Sequence, residues 1–311
     1  AADAVKWGAQ VIFSTSQAQM QDALRAAIEY KDIKWLNCSL NLSHQAVRGY
    51  YTKLYEAKFL AGLAAGSAAA AIGSDVIGYC SDLPVYGTVA NINAFAIGAA
   101  MINPRIKIHL EWESKKGSNW WQSMIDKGIS IISAVDSLHV PDGSDAYGVI
   151  HVEGCEPGEG NDLSKNYRIK HIAAPIYTWG KLYENLIKTV IGGTYNADAV
   201  DKKDRATNYW WGMISGAADI ELADDLPPYT RQLVDTMKCD IIDGRFNPFN
   251  GRLVSREGVI REEDDPALTS MDIITMDWLN ENVEGEIPKM DALDDDVKKV
   301  VKYNGVEKTK K

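Results

Sequence analysis

The chain is short of the residues that reactive chemistry usually draws on. Of its 311 residues only five are histidine and four are cysteine. His44, His109, His139, His151 and His171 are scattered, and no histidine–cysteine cluster has the spacing of a metal site. His109, His151 and His171 fall in strand-like runs, where a satisfied sheet histidine is the ordinary reading. Cys38, Cys80, Cys155 and Cys239 form no C-x-x-C pair. Cys38 and Cys80 end apolar runs and read as buried thiols, a usage that fits a reducing compartment. Neither G-x-G-x-x-G nor G-x-x-x-x-G-K-[ST] nor G-x-S-x-G occurs. No cofactor and no metal are expected.

Positive charge is in deficit, 33 Lys and Arg against 43 Asp and Glu, for a net charge of -10. Nucleic acid and anionic membrane surfaces are therefore disfavoured as partners. The most apolar run, FLAGLAAGSAAAAI (59–72), is too short to span a bilayer and reads as a buried helix. The opening AADAVKWGAQVIF has neither the basic flank nor the apolar core of a signal peptide, which favours a cytoplasmic placement.

What is present is an alternation of short apolar runs with helical patterns. Strands are expected at 10–16, 33–39, 75–80, 106–112, 129–137, 146–154 and 169–175, and helices at 17–30, 51–71, 119–128, 181–192 and 231–244. The β-α-β-α-β order predicts an α/β fold with parallel sheets covered by helices on both faces. The restart after NPRIKI divides it into two Rossmann-like lobes. Lobe 1 is expected over 1–105 with a return segment 173–205, and lobe 2 over 106–172 with a return segment 206–260. Residues 261–311 form a C-terminal helical extension and tail, opened by a weak Thr269/Asp272 capping box and ending in a solvated basic run.

In such sheets ligands sit beyond the carboxyl ends of the strands. That rule selects the turns Ser14 to Ser16, Asn37 to Asn41, Ser81 to Tyr86, Asp136-Ser137, Glu153, and Pro175 to Trp179. Within them Ser14, Thr15, Ser16, Asn41, Asp82, Tyr86, Asp136, Glu153, Tyr177 and Trp179 are the candidate ligand contacts. Asp82, Asp136 and Glu153 each end an apolar run, unlike the acids of EEDD and DDD. For each, a plain Asx-turn or helix cap carries equal weight. In the adjacent pairs Trp120-Trp121 and Trp210-Trp211 one ring of each is expected outside the core. Rings that stack on a flat ligand and acids that take its hydroxyls would explain why both gather at one edge.

The segment YEAKFLAGLAAGSAAA…IGYCSDLPVYGTVANINAFAIGAAMINPRIKI resembles the basic membrane protein (Bmp/Med/PnrA-like) family of substrate-binding proteins. The match rests on Phe59 to Gly62, Gly78, Pro84, Phe95, Gly98 and Asn103-Pro104, supported by HIAAPIYTWGKLYENLIKTVIGGTY and IIDGRFNPFNG. The resemblance implies a type I periplasmic-binding-protein fold that closes on a nucleoside-like small molecule, with rings on the base and acids on the ribose. An ABC permease is an implied partner, and family members are usually periplasmic or lipid-anchored. Against the family pattern this chain starts late, so lobe 1 is expected to be incomplete, its first strands missing or supplied by another segment or subunit. The family's GVD aspartate corresponds to GVIHVEG, where His151 or Glu153 could substitute, and Tyr177 and Trp179 stand where a basic residue often occurs.

The expectation is a non-enzymatic binder hinged near Pro104 and Pro175. A ligand sensor of the same fold is the alternative. A cleft hydrolase using Asp82, Asp136 and Glu153 is a third reading.

Overall fold

The computed structural model describes residues 1–40, 44, 46–134, 147–155, 167–195 and 209–311. After a short α1 (Ala2–Lys6), the strands β1 (Val11–Ser14), β2 (Lys34–Cys38) and β3 (Val47–Thr52) form a parallel sheet. The far-removed β9 (Tyr209–Trp211) adds its last strand, in the order β1-β2-β3-β9. Alternation along β1 and β2 sends Ile12 and Trp35 to one face and Val11, Phe13, Leu36 and Cys38 to the other. The first face is covered by α2 (Met20–Glu29) through Ala26 and Ala27. The second is covered by α6 (Trp179–Ile191), whose Leu182 and Leu186 are fully buried. Each of those leucines contributes ~2 kcal/mol of burial.

The second sheet has the order β10-β8-β7-β6-β4-β5-β13. Its members are β4 (Val76–Ser81), β5 (Lys107–Trp112), β6 (Ile131–Ser133), β7 (Val149–Cys155), β8 (Tyr167–Tyr177), β10 (Ala218–Leu222) and β13 (Val283–Glu284). One face packs α3 (Leu54–Ala71), α4 (Thr88–Ile102) and α7 (Pro228–Ile242) over Ile77, Tyr79, Ile108 and Leu110. The other packs α5 (Trp120–Asp126) over Cys80, Ile132 and Ile150. Helices α3 and α4 are buried on nearly all sides, as their uniform apolar sequence requires. They approach closely because Gly62 faces the Phe95 carbonyl and Gly98 faces the Phe59 carbonyl.

A hairpin of β11 (Leu253–Ser255) and β12 (Gly258–Arg261) leads to α8 (Ser270–Ile274), opened by the expected Thr269/Asp272 capping box. The chain ends with α9 (Lys298–Asn304) and α10 (Glu307–Lys310). This end is not a solvated tail: Val301, Val306 and Thr309 are buried. Val301 joins Leu293 and Val85 in a small core, and the backbone of the Asp82-to-Tyr86 turn holds it. Tyr86 N–H donates to the Asn304 carbonyl at 2.8 Å and Val306 N–H to the Pro84 carbonyl at 3.2 Å. The lysines of this segment are exposed or half-buried, so its charge masked an apolar stripe of Val297, Val300 and Val301.

The sheets also redraw the expected boundaries. β4 pairs with β5 and β6, so Val76–Ser81 belongs to the second body and not to lobe 1. The chain crosses between bodies at 52–54, 177–179 and 211–218 rather than near residue 105. Pro104 is an exposed turn residue, and Pro175 lies inside β8, paired with Ile220. Neither proline is a crossover. β3 itself went unread because VRGYYT is buried on both faces and shows no alternation.

Candidate functional site

Strand direction places the site. β6 and β8 both run antiparallel to β7, while β4, β5, β6 and β13 are mutually parallel. The carboxyl ends of β4, β5, β6, β8 and β13 therefore share one edge. β8 leaves that edge through Thr178 into α6, and β3 leaves the carboxyl edge of the first sheet directly into α3. The two carboxyl edges thus meet at the crossovers, with the candidate cleft between them.

The crossovers are joined side by side. Lys53 N–H donates to the Trp211 carbonyl at 2.7 Å and Thr178 N–H to the Ala217 carbonyl at 3.0 Å. The Trp210 indole donates to the Thr52 carbonyl at 3.1 Å. Glu56, in the first turn of α3, accepts the Met213 N–H at 2.7 Å. Burial raises the Glu56 carboxyl above its ordinary 4.5, against the opposing pull of that N–H and of Lys53. The folded chain then holds the proton more tightly than the unfolded one. This contribution to stability is complete below pH 4.5 and is lost as pH rises through the folded-state value. Glu56→Gln keeps the acceptor for Met213, so it should raise the neutral-pH melting temperature and flatten its decline above pH 4.5. A variant whose midpoint still follows the parent's across that window would assign the decline to another group.

Six rings line the crossover end of the site. Tyr177 and Trp179 stack with centroids 5.1 Å apart and planes 5° from parallel, and Trp179 stacks in turn on Tyr183 at 6.1 Å. Tyr50 and Tyr51 meet Trp179 edge-on, and Phe13 lies 4.8 Å from Tyr183. The Tyr50 hydroxyl donates to the Ser14 carbonyl at 3.1 Å and lies 3.2 Å from the Tyr183 hydroxyl. Burial pushes the Tyr50 phenol far up and the Cys38 thiol beneath it up to about 12. Both stay protonated at neutral pH, the tyrosine as a hydrogen-bonding group and the thiol as inert filling.

Of the predicted site residues, Tyr177 and Trp179 belong to this ring cluster and Ser14 meets it through its carbonyl, while Thr15 and Ser16 follow at the exposed end of β1. Ser14 and Ser16 are held by Asn37, whose buried amide donates to the Ser14 hydroxyl at 2.6 Å and the Ser16 carbonyl at 3.2 Å. The Ser16 hydroxyl also accepts the Ala18 N–H, starting a 3-10 turn over Gln17–Gln19. Asp82 and Tyr86 follow β4 on the opposing edge. The Asp82 carboxylate accepts its neighbour Leu83's N–H, so it does serve as the cap of its own turn. The Tyr86 ring is half-buried beneath Lys310, whose ammonium lies 5.4 Å from the ring centroid.

Glu153 does not reach the site. β7 returns antiparallel from β6, so its later residues stand at the amino edge, where Glu153 pairs with Arg168 at 3.1 Å. Asn41 and Asp136 lie outside the described residues. The sequence reading missed Phe13, Tyr50, Tyr51 and Tyr183, and it placed Asn37 at the head of a candidate turn without its role of holding Ser14 and Ser16. The repeated tyrosines of RGYYT were the available signal for the central pair.

Residues 1–198 match the family model of PnrA-like (Bmp) ABC transporter substrate-binding proteins. The chain belongs to this family. Within reach of it, the chain is 25% identical over 257 residues to a purine-binding protein of Brucella abortus (strain 2308), covering 81% of this chain and 69% of that one. It is 24% identical over 232 residues to a Haloferax volcanii protein named for ABC-transporter glucose binding. That match covers 72% of this chain and 54%, about half, of the relative. Among solved structures, an ABC solute-binding protein from Conexibacter woesei aligns with a TM-score of 0.52 at 13% identity, over 79% of this chain and 81% of that one. A comK-gene transcriptional activator from Bacillus halodurans aligns with a TM-score of 0.57 at 12% identity, over 79% and 83%. These two likenesses establish the shared two-lobed periplasmic-binding fold. The family is one of substrate-binding proteins, and among the described residues no helix is long and apolar enough to cross a membrane.

Proposed function

We propose that this substrate-binding protein closes on a purine nucleoside or base, held between the carboxyl edges of its two sheets for delivery to an ABC permease. The observation that carries this reading is the Tyr177–Trp179 stack at the crossover. Flat rings already aligned in parallel extend onto a heterocyclic base without reordering, which makes the stacking inexpensive in entropy. The base adds at the Tyr177 end, because Trp179 is backed by Tyr183 and Tyr183 by Phe13. Ser14 and Thr15 supply polar groups beside it, and Asp82 supplies an acceptor for ribose hydroxyls from the opposing lobe. The purine-binding name of the Brucella relative supports the same ligand class. In this reading the chain binds without catalysis, as a carrier whose lobes turn about the 52–54, 177–179 and 211–218 crossovers.

A thermal-shift panel tests it. Adenosine, guanosine, inosine or a free purine, at a hundredfold excess over its dissociation constant, should add about 2.7 kcal/mol of stability. A clear shift with glucose or another sugar, and none with any purine, would overturn the ligand assignment.

A further inference from the structure

The three crossovers close the cleft on one side only. In the first sheet they leave from β3 and β9, with β1 at the opposite margin. In the second they leave at β8 and β10, with β4 and β5 toward the opposite end. The C-terminal segment lies at this far side. It is fastened to the second body by the Val85/Gly305 bridge, the Tyr86–Asn304 and Pro84–Val306 backbone bonds, and the buried Val301 and Val306. Its helix α9 also touches the first body at the 3-10 turn Gln17–Gln19, which follows β1. Lys299, Val300, Tyr303 and Asn304 face Gln17, Ala18, Met20 and Gln21 across a gap of about 20 Å³, room for a single water.

We infer that α9 is a latch: it bridges the mouth of the cleft opposite the hinges and holds the lobes together, so that opening requires it to part from the Gln17–Gln19 turn. Hinge rotation separates the far side most, so a contact there cannot survive opening. The contact is also built to release. Gln17 Oε1 and Asn304 Oδ1, one from each body, are buried at this junction and accept no hydrogen bond from a protein group, so neither ties the two bodies together directly. Their desolvation is relieved when the mouth opens to water. The latch is therefore close-packed but held short of permanence, and it slows ligand escape without contacting the ligand.

The effect on ligand release rests on the purine reading above, whereas the effect on the ligand-free protein does not. Ala18→Arg places a bulky cation against Lys299 from an exposed position that the fold does not need. Tyr303→Ala removes the ring from the other side. Without ligand, each variant should increase the radius of gyration in small-angle scattering and the amide exchange of residues 15–21. With a purine nucleoside, each should speed dissociation by about tenfold, and the double variant should do little more than either single one, as coupled partners do. If the ligand-free changes occur but no nucleoside binds, the latch stands and the ligand assignment fails. Unchanged scattering and exchange in the folded Ala18→Arg protein would overturn the latch.

Discussion

Gly98→Leu is expected to leave the chain without a cooperative melting transition. Even a Cβ at Gly98 would lie 2.2 Å from the Phe59 carbonyl oxygen and 3.1 Å from the Leu63 nitrogen. The reciprocal glycine, Gly62, is in the same position against the Phe95 carbonyl, also at 2.2 Å. These are backbone atoms of two buried helices, so no rotamer change can make room. The helices must separate, and with them the core they share with β4, β5 and β8. Overpacking of a core ordinarily costs ~1–3 kcal/mol, and a backbone-to-backbone clash lies at or beyond the top of that range. Gly98→Ala should therefore lose about 3 kcal/mol in urea unfolding, a large fraction of a typical domain's stability. A Gly98→Ala protein within about 0.5 kcal/mol of the parent, the range of a neutral surface change, would mean that α3 and α4 do not pack this way.

Tyr177→Ala carries the largest expected effect on binding. If a purine completes the stack begun by Trp179 and Tyr183, deleting the terminal ring removes one base–aromatic contact, worth ~1–3 kcal/mol. Affinity should fall by roughly 10- to 100-fold. Tyr177→Phe should keep most of it, because the ring and not the hydroxyl is the platform; the hydroxyl stands 3.5 Å from that of Tyr51. Titration calorimetry on the two variants separates the cases. Equal losses in both would assign the contribution to the hydroxyl, and no loss in either would place the ligand elsewhere in the cleft. The two glycine and tyrosine predictions are independent, since one acts on a core helix pair and the other at the edge of the crossover.

How far the sequence announced this arrangement varies element by element. The alternation of apolar runs with amphipathic or small-residue helices was enough for an α/β fold, because β1, β4 and β5 each lead toward a helix and β2 follows one, all with a clear apolar pattern. Tyr177 and Trp179 were legible for the same reason: a long strand breaks visibly into rings. Glu153 misled because the rule about carboxyl edges presumes parallel strands, and nothing in GVIHVEG declares that β7 runs backward. Its direction is set by its neighbours β6 and β8. Asp82 could be placed at the right edge, but whether its carboxylate faces outward or caps Leu83 is a matter of one side-chain torsion. The C-terminal segment was misread because lysines dominate its composition, while three valines on one face dominate its packing. The crossovers were out of reach because β3 is buried on both faces and β9 is only three residues long.

The interleaving of the two bodies has a further consequence, for the order in which the protein can be built. β1, β2 and β3 emerge early, yet Leu36, Cys38 and Tyr50 are covered by α6, Tyr195, Tyr209 and Ala217, from far later in the chain. β3 and β9 pair Tyr50 with Tyr209. The second body has mainly local partners by comparison: β4, α4 and β5 are consecutive, and α3 packs on α4 across a single strand. During synthesis the α3–α4 core can therefore consolidate while the first sheet still exposes an apolar face. The first sheet is completed only by α6 and β9, from a segment that has already passed through its neighbour, so damage to the second body withholds the pieces that finish the first.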